Sequence, residues 1–196
     1  MKEIFIFIFM ITIIFVFIYM NKGEVSYVES FKDKNLYLVR NITNKKEAAD
    51  TLATIKSNLN ELVSYLTNQL KQNNKEIKKY ELYINRMADK ITKSEYSESS
   101  PNSKYTSYSI NKGEALVFCV RSKKTNKIHN MNLLMYVALH ELAHIGCPEV
   151  GHTKLFGNIN KFLLKQAMNI NIYNYSNYEA NPVEYCGMDL NTTILN

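Results

Sequence analysis

Histidine is scarce in this chain: four in 196 residues, with three of the four inside the thirteen positions from 140 to 152. Composition alone rarely produces such a cluster. Cysteine is scarcer still, limited to Cys119, Cys147 and Cys186, and an odd number speaks against the paired set of a secreted disulfide scaffold. Three prolines and six glycines leave little room for low-complexity sequence, and a 46% hydrophobic content is that of an ordinary globular chain. Charge is missing altogether from Ile4 to Met20, an uninterrupted run of 17 residues. That run is at the short end of what spans a hydrocarbon core as a helix. Asn21-Lys22-Gly23-Glu24-Val25-Ser26 offers no small-x-small cleavage site, so a retained membrane anchor is expected in preference to a cleaved signal peptide. As a strand, the same run would be an aggregation hazard.

Lys2 and the amino terminus, opposed by Glu3, precede the run, and Lys22, Lys32, Lys34 and Arg40 follow it. The positive-inside rule then places the C-terminal body on the cytoplasmic side, and the odd cysteine count agrees. Asn41-Ile42-Thr43, Asn174-Tyr175-Ser176 and Asn191-Thr192-Thr193 match the glycosylation pattern, as an Asn-rich chain does by accident.

The histidine cluster carries the chemistry. In His140-Glu141-Leu142-Ala143-His144 the two histidines stand four apart and share one face of a helix, so both imidazoles can reach one cation. Glu141 lies about 100° further round, placed to hold and deprotonate a metal-activated water without competing as a ligand. Catalytic zinc takes three protein ligands and keeps one position open, and His152 is the nearest third candidate, with Glu179 or Glu184 as alternatives. Cys147 is expected not to be a ligand, since a fourth protein group would close the site. The apolar run from Leu133 to Leu139 suits a buried helix, which Gly146 and Pro148 should end.

Between Lys45 and Lys93 two apolar series, Leu52, Ile55, Leu59, Leu62, Leu66 and then Ile77, Tyr80, Ile84, Met87, Ile91, follow steps of three and four in different registers. The break at Gln72-Asn73-Asn74 predicts two antiparallel helices packed on the catalytic part, in preference to a coiled coil. Lys71, Lys75, Lys78 and Lys79 read as its solvated face, with a nucleic-acid or anionic-lipid patch as the alternative. Ser94 to Ser109 reads as a loop. Asn111-Lys112-Gly113 reads as a turn, Ala115 to Val120 as a strand, either an exposed edge able to take an extended substrate or an ordinary buried strand, and Arg121 to Asn130 as a polar turn with His129 exposed. Beyond the cluster, Leu155, Phe156, Ile159, Phe162, Leu163, Gln166 and Ala167 outline a helix capped by Thr153. The tail from Tyr173 to Asp189 is rich in tyrosine and carboxylate; ordinary aromatic packing is the expectation for each tyrosine, and stabilisation of an oxyanion is the alternative.

The motif His140-Glu141-Leu142-Ala143-His144 with Gly151-His152-Thr153 and Phe156 resembles the active-site helix and third-ligand segment of zincin metallopeptidases of the WLM and SprT-like groups. The stretches Tyr105 to Glu114, Leu134 to His144 and Pro182 to Met188 are similar to uncharacterised WLM-like proteins of large DNA viruses. The resemblance implies an α+β zincin fold, Zn2+ as cofactor, His140, His144 and His152 as ligands, Glu141 as general base, and a protein or peptide substrate. Seven residues separate His144 from His152, where metzincins have five and SprT-like enzymes more. WLM and SprT-like relatives are associated with proteolysis of proteins crosslinked to DNA. A membrane segment fits that substrate badly, so it is not carried over.

The expected organisation is a membrane anchor at 1–22, a linker at 23–44, a helical hairpin at 45–93 and a zincin-like catalytic domain at 94–196. The competing expectation is a non-catalytic, membrane-anchored protein with a structural zinc site and a partner-binding hairpin. Glu141 argues against it, because a closed structural site needs a fourth ligand and no base.

Overall fold

The computed structural model describes residues 2–20 and 23–192. They form a mixed α+β structure with the order α1 (Lys2–Met20), β1 (Val25–Glu29), β2 (Leu36–Arg40), α2 (Lys45–Lys71), α3 (Lys75–Lys78), α4 (Glu81–Ile91), β3 (Glu95–Glu98), β4 (Tyr108–Ile110), β5 (Ala115–Phe118), α5 (Met131–Gly146), α6 (Lys154–Asn169), β6 (Val183–Tyr185) and β7 (Met188–Leu190). Strands β1 to β5 make one sheet in the order β1-β2-β3-β5-β4, and β6 and β7 form a separate hairpin. The central pairs β2/β3 and β3/β5 are parallel, whereas β1 and β4 run antiparallel to their neighbours at the two edges.

The expected helical hairpin is present. Leu52, Ile55, Leu59, Leu62 and Leu66 of α2 are fully buried, as are Ile84 and Met87 of α4, and each such side chain contributes roughly 1.5–3 kcal/mol of transfer free energy. The break falls where asparagine disfavours helix: Asn73 is left-handed, and the Asn74 side chain caps α3 by accepting from the backbone of Glu76 and Ile77. Helix α2 packs on β1, β2 and β3 and also touches α4 and α5. The hairpin is therefore part of the core that carries the histidine helix.

Two expectations are corrected. Residues 23–44, read as a linker, hold the paired strands β1 and β2, and the loop read at 94–109 contains β3 and the start of β4. Strands β1 and β2 are apolar-rich and pair with each other locally, whereas β3 owes its strand to tertiary partners. Strand β3, Glu95-Tyr96-Ser97-Glu98, has a single apolar residue. It is held instead by a buried charge cluster, in which Glu98 Oε2 accepts from Arg121 Nη1 at 2.9 Å and from the Arg40 backbone N–H at 2.8 Å. Arg40 Nε lies 3.5 Å from Glu98 Oε1 and donates to Ser99 O at 2.9 Å. The segment from Arg121 also departs from expectation. Arg121 is fully buried, and His129 is half-buried with its Nε2 accepting from the Cys186 N–H at 3.3 Å.

The expected anchor coincides with α1, whose described side chains, Phe7, Phe9, Ile13 and Phe15 among them, are exposed. Among the described residues no helix is long and apolar enough to cross a membrane. The expected span falls partly outside that description, which omits the side chains of Phe5, Ile6, Ile14 and residues 17–20.

The charge cluster makes a direct prediction for stability. Glu98→Ala strands two buried guanidinium groups without a counter-charge and should cost about 3–5 kcal/mol in denaturant unfolding. A loss below about 1 kcal/mol would show that the cluster does not hold β2 to β3.

Candidate metal centre

Helix α5 begins at Asn130, whose side chain accepts the Asn132 N–H at 2.8 Å, and ends at Gly146, ahead of an extended Cys147 and the break at Pro148. Leu134, Met135, Ala138, Leu139, Leu142 and Ala143 are all fully buried, and this leaves His140 and His144 on the face that opens to a cleft. Helix α6 begins where predicted, with Thr153 Oγ1 accepting the Phe156 N–H at 3.3 Å. His152 therefore stands just outside that helix and turns back. Its Nε2 lies 3.0 Å from Nε2 of His140 and 3.2 Å from Nε2 of His144.

This geometry fits a metal. Nitrogens bound tetrahedrally to zinc at about 2.0–2.1 Å stand roughly 3.3 Å apart, close to the separations between these rings. Three imidazole nitrogens turned on one point satisfy one another poorly, because a triangle of them offers too few protons for its lone pairs. His140 and His144 are also uncharged at neutral pH. Burial, and then His144 and His152, lowers the pKa of His140 to about 4. Burial, and then His152 and Lys112, lowers that of His144 to about 4. Phe156 closes one side, its ring centroid 4.9, 4.2 and 4.9 Å from those of His140, His144 and His152.

Two polar groups absent from the sequence reading, the Ser109 N–H and the Asn160 amide, orient the site. The carboxylate of Glu141, 5% exposed, accepts the backbone N–H of Ser109 on β4. Burial raises its pKa to about 7, and the Ser109 hydrogen bond opposes the shift. Asn160, 1% exposed, brings its amide to 3.4 Å from His140 Nδ1, while its Oδ1 has no partner. A half-turn of the amide gives that oxygen the Nδ1–H of neutral His140 and leaves Nε2 free to coordinate. A lone asparagine one turn after Phe156 on an apolar helix face was the available signal.

The cleft has a volume of about 670 Å3. It runs between residues 106–109 beside the edge strand, Tyr136 and Val137 of α5, and Tyr185, Met188 and Leu190 of the β6–β7 hairpin. A Cys119–Cys186 disulfide ties that hairpin to the end of β5, with Cα atoms 5.8 Å apart, so the odd cysteine count reflects one pair and one buried free thiol, Cys147. The Tyr185 hydroxyl meets Ser107 Oγ at 2.5 Å. Tyr173 and Tyr178 pack around Tyr136, the outcome expected for most of the tail.

His140, His144 and His152 are the one group of three or more among the described residues that could hold a metal ion. Neither Glu179, Glu184 nor Cys147 belongs to it. Glu184 instead accepts the Gly187 N–H at 2.5 Å inside the hairpin.

A three-histidine centre beside a buried glutamate, at the mouth of a cleft in an α+β fold, defines the class of site. No family model matches the chain. It is 43% identical over 174 residues, 89% of this chain and 86% of the relative, to the uncharacterized protein R325 of Acanthamoeba polyphaga mimivirus, and it belongs to the family of that protein. Shorter similarity links it to uncharacterized protein 042R of Invertebrate iridescent virus 3, 42% identical over 62 residues covering 32% of this chain and 38% of the relative. Protein 136R of Invertebrate iridescent virus 6 is 39% identical over 69 residues, 34% of this chain and 38% of the relative. Among solved structures, Wss1 from Saccharomyces cerevisiae aligns with a TM-score of 0.47 and 20% identity over 68% of this chain and 87% of that one.

If the three histidines hold zinc, the Asn160 contact predicts that Asn160→Ala weakens its binding by about 10–100-fold, as loss of an orienting partner does. Chelator competition on the metal-free protein measures this, and an unchanged affinity would remove Asn160 from the site.

Proposed function

We propose that this chain is a zinc-dependent metallopeptidase. The observation that carries the reading is the convergence of three imidazoles, His152 Nε2 lying 3.0 Å from that of His140 and 3.2 Å from that of His144, beside a glutamate buried on the histidine helix, in an open cleft. Zinc held by His140, His144 and His152 would supply a Lewis acid for the scissile carbonyl and bring the pKa of a water down to about 7. Glu141 takes a proton from water in the cleft and returns it to the leaving nitrogen. Its burial raises its proton affinity to the range such a shuttle needs. The Ser109 N–H fixes the carboxylate while it works, and the wall built by Tyr185, Met188 and Leu190 confines the substrate chain.

The substrate class is a protein or peptide, supported by the cleft running beside the edge strand β4, where an extended chain can add main-chain hydrogen bonds. Membrane attachment through residues 4–20 belongs to the same proposal, and the exposed apolar side chains of α1 support it, since such a surface needs cover. A cytoplasmic body is supported by the lysines and arginine that follow the run. The Cys119–Cys186 disulfide weighs towards an oxidising compartment.

The decisive experiment compares peptide-library hydrolysis by the wild-type chain, the wild type with a chelator, and Glu141→Gln. Chelation should abolish hydrolysis, and Glu141→Gln should lower it by about 100-fold or more while leaving stoichiometric zinc in place. Zinc binding without hydrolysis of any peptide would overturn the peptidase reading.

The pH dependence has a definite sign. Glu141 must be ionised to accept a proton, and a nearby cation favours the carboxylate. At saturating zinc, kcat/KM should therefore fall as pH drops through a midpoint at or below about 7. A rate that rises on acidification would rule out Glu141 as the base.

A further inference from the structure

We propose that Lys112, on the turn between β4 and β5, is a positioning residue that sets His152 by strapping the loop that carries it; this rests on the reading of the three histidines as zinc ligands. The chain from Pro148 to His152 is exposed, Val150 by 86%, and it has no apolar side chain anchored in the core. Gly151 within it is left-handed at φ +82°. Nothing in such a segment specifies by itself where His152 should point. Two tethers do so. Lys112 Nζ donates to the carbonyl of Cys147 at 2.9 Å and to that of Glu149 at 2.7 Å, and the Thr153 hydroxyl bonds the Glu149 carboxylate at the start of α6.

Lys112 is itself held in an unusual way. Asn111, Lys112 and Gly113 are three successive left-handed residues, with φ of 47°, 54° and 104°. The first two carry Cβ atoms that disfavour this conformation. Ile110 O holds the turn by accepting from Gly113 N at 3.0 Å and Glu114 N at 2.9 Å, and Asn111 Nδ2 adds a bond to Glu114 Oε2 at 2.6 Å. A Cβ on Gly113 would meet Ile145 Cδ1 at 3.0 Å, so the turn is seated against the last turn of α5. Backbone strain of this kind persists where the surroundings enforce it and frequently marks a functional position. Its product here is an ammonium group aimed at two carbonyls between the second and third histidines. A lysine there also suits the carbonyl end of α5. The bland alternative is therefore that Lys112 only caps the helix, and the test must separate capping from placement of His152.

The test measures zinc affinity of the metal-free full chain by chelator competition for wild type, Lys112→Met, Lys112→Arg, His152→Ala and the double variant Lys112→Met/His152→Ala. Lys112→Met should weaken binding by about 10-fold or more. Lys112→Arg, whose guanidinium can span two carbonyls, should restore most of the loss. With His152 removed, Lys112→Met should add less than about a twofold further change, because the two residues act as one unit. Should Lys112→Met fail to fold by circular dichroism, Lys112→Gln replaces it in the same cycle. An unchanged affinity in the single variant, or an equal loss with and without His152, would overturn the proposal. An affinity that survives His152→Ala would remove His152 as a ligand and this inference with it. An intact cycle without peptide hydrolysis would sink the peptidase reading alone.

Discussion

Everything in this structure that bears on chemistry depends on three imidazoles being forced to face one point. Ring nitrogens 3.0–3.2 Å apart repel unless a proton or a cation lies between them. Burial depresses the proton affinity of His140 and His144, so the cation is the better solution at neutral pH. The energy to hold that arrangement comes from the core beneath it. Helix α5 is buried along most of its length, packs on α2, α4 and α6, and cannot rotate to relieve the crowding.

The same burial that supports the histidines tunes Glu141. One residue round the helix from His140, it is carried into the protein and meets the edge strand, where the Ser109 N–H fixes it and desolvation raises its pKa to about 7. The histidine face and the buried carboxylate thus follow from one helix in one orientation. The strand that orients this carboxylate also borders the cleft, so in the proposed reaction one backbone segment would couple substrate placement to the proton acceptor.

Away from the centre the chain uses polar crosslinks where apolar pattern is thin. Glu98 between Arg40 and Arg121 holds a strand with one apolar residue, and the Cys119–Cys186 disulfide holds a two-strand hairpin too small to be stable alone. The hairpin forms one wall of the cleft and the edge strand β4 the other. Its shape therefore rests on long-range bonds that leave no periodic trace in sequence.

The sequence alone determined what local periodicity controls. His140, Glu141 and His144 were legible because a helix puts residues four apart on one face, and α5 and α6 ended and began where Gly146, Pro148 and Thr153 direct. The helix break at Gln72-Asn73-Asn74 was legible for the same reason. Tertiary structure decided everything that depends on partners distant in the chain. It brought His152 into the cluster in place of Glu179 or Glu184, put Asn160 against His140, and drew Lys112 onto the loop before His152. It also turned the polar stretch Glu95–Glu98 into a strand. There the stabilising groups come from elsewhere in the fold, and no window of sequence contains both halves of the interaction.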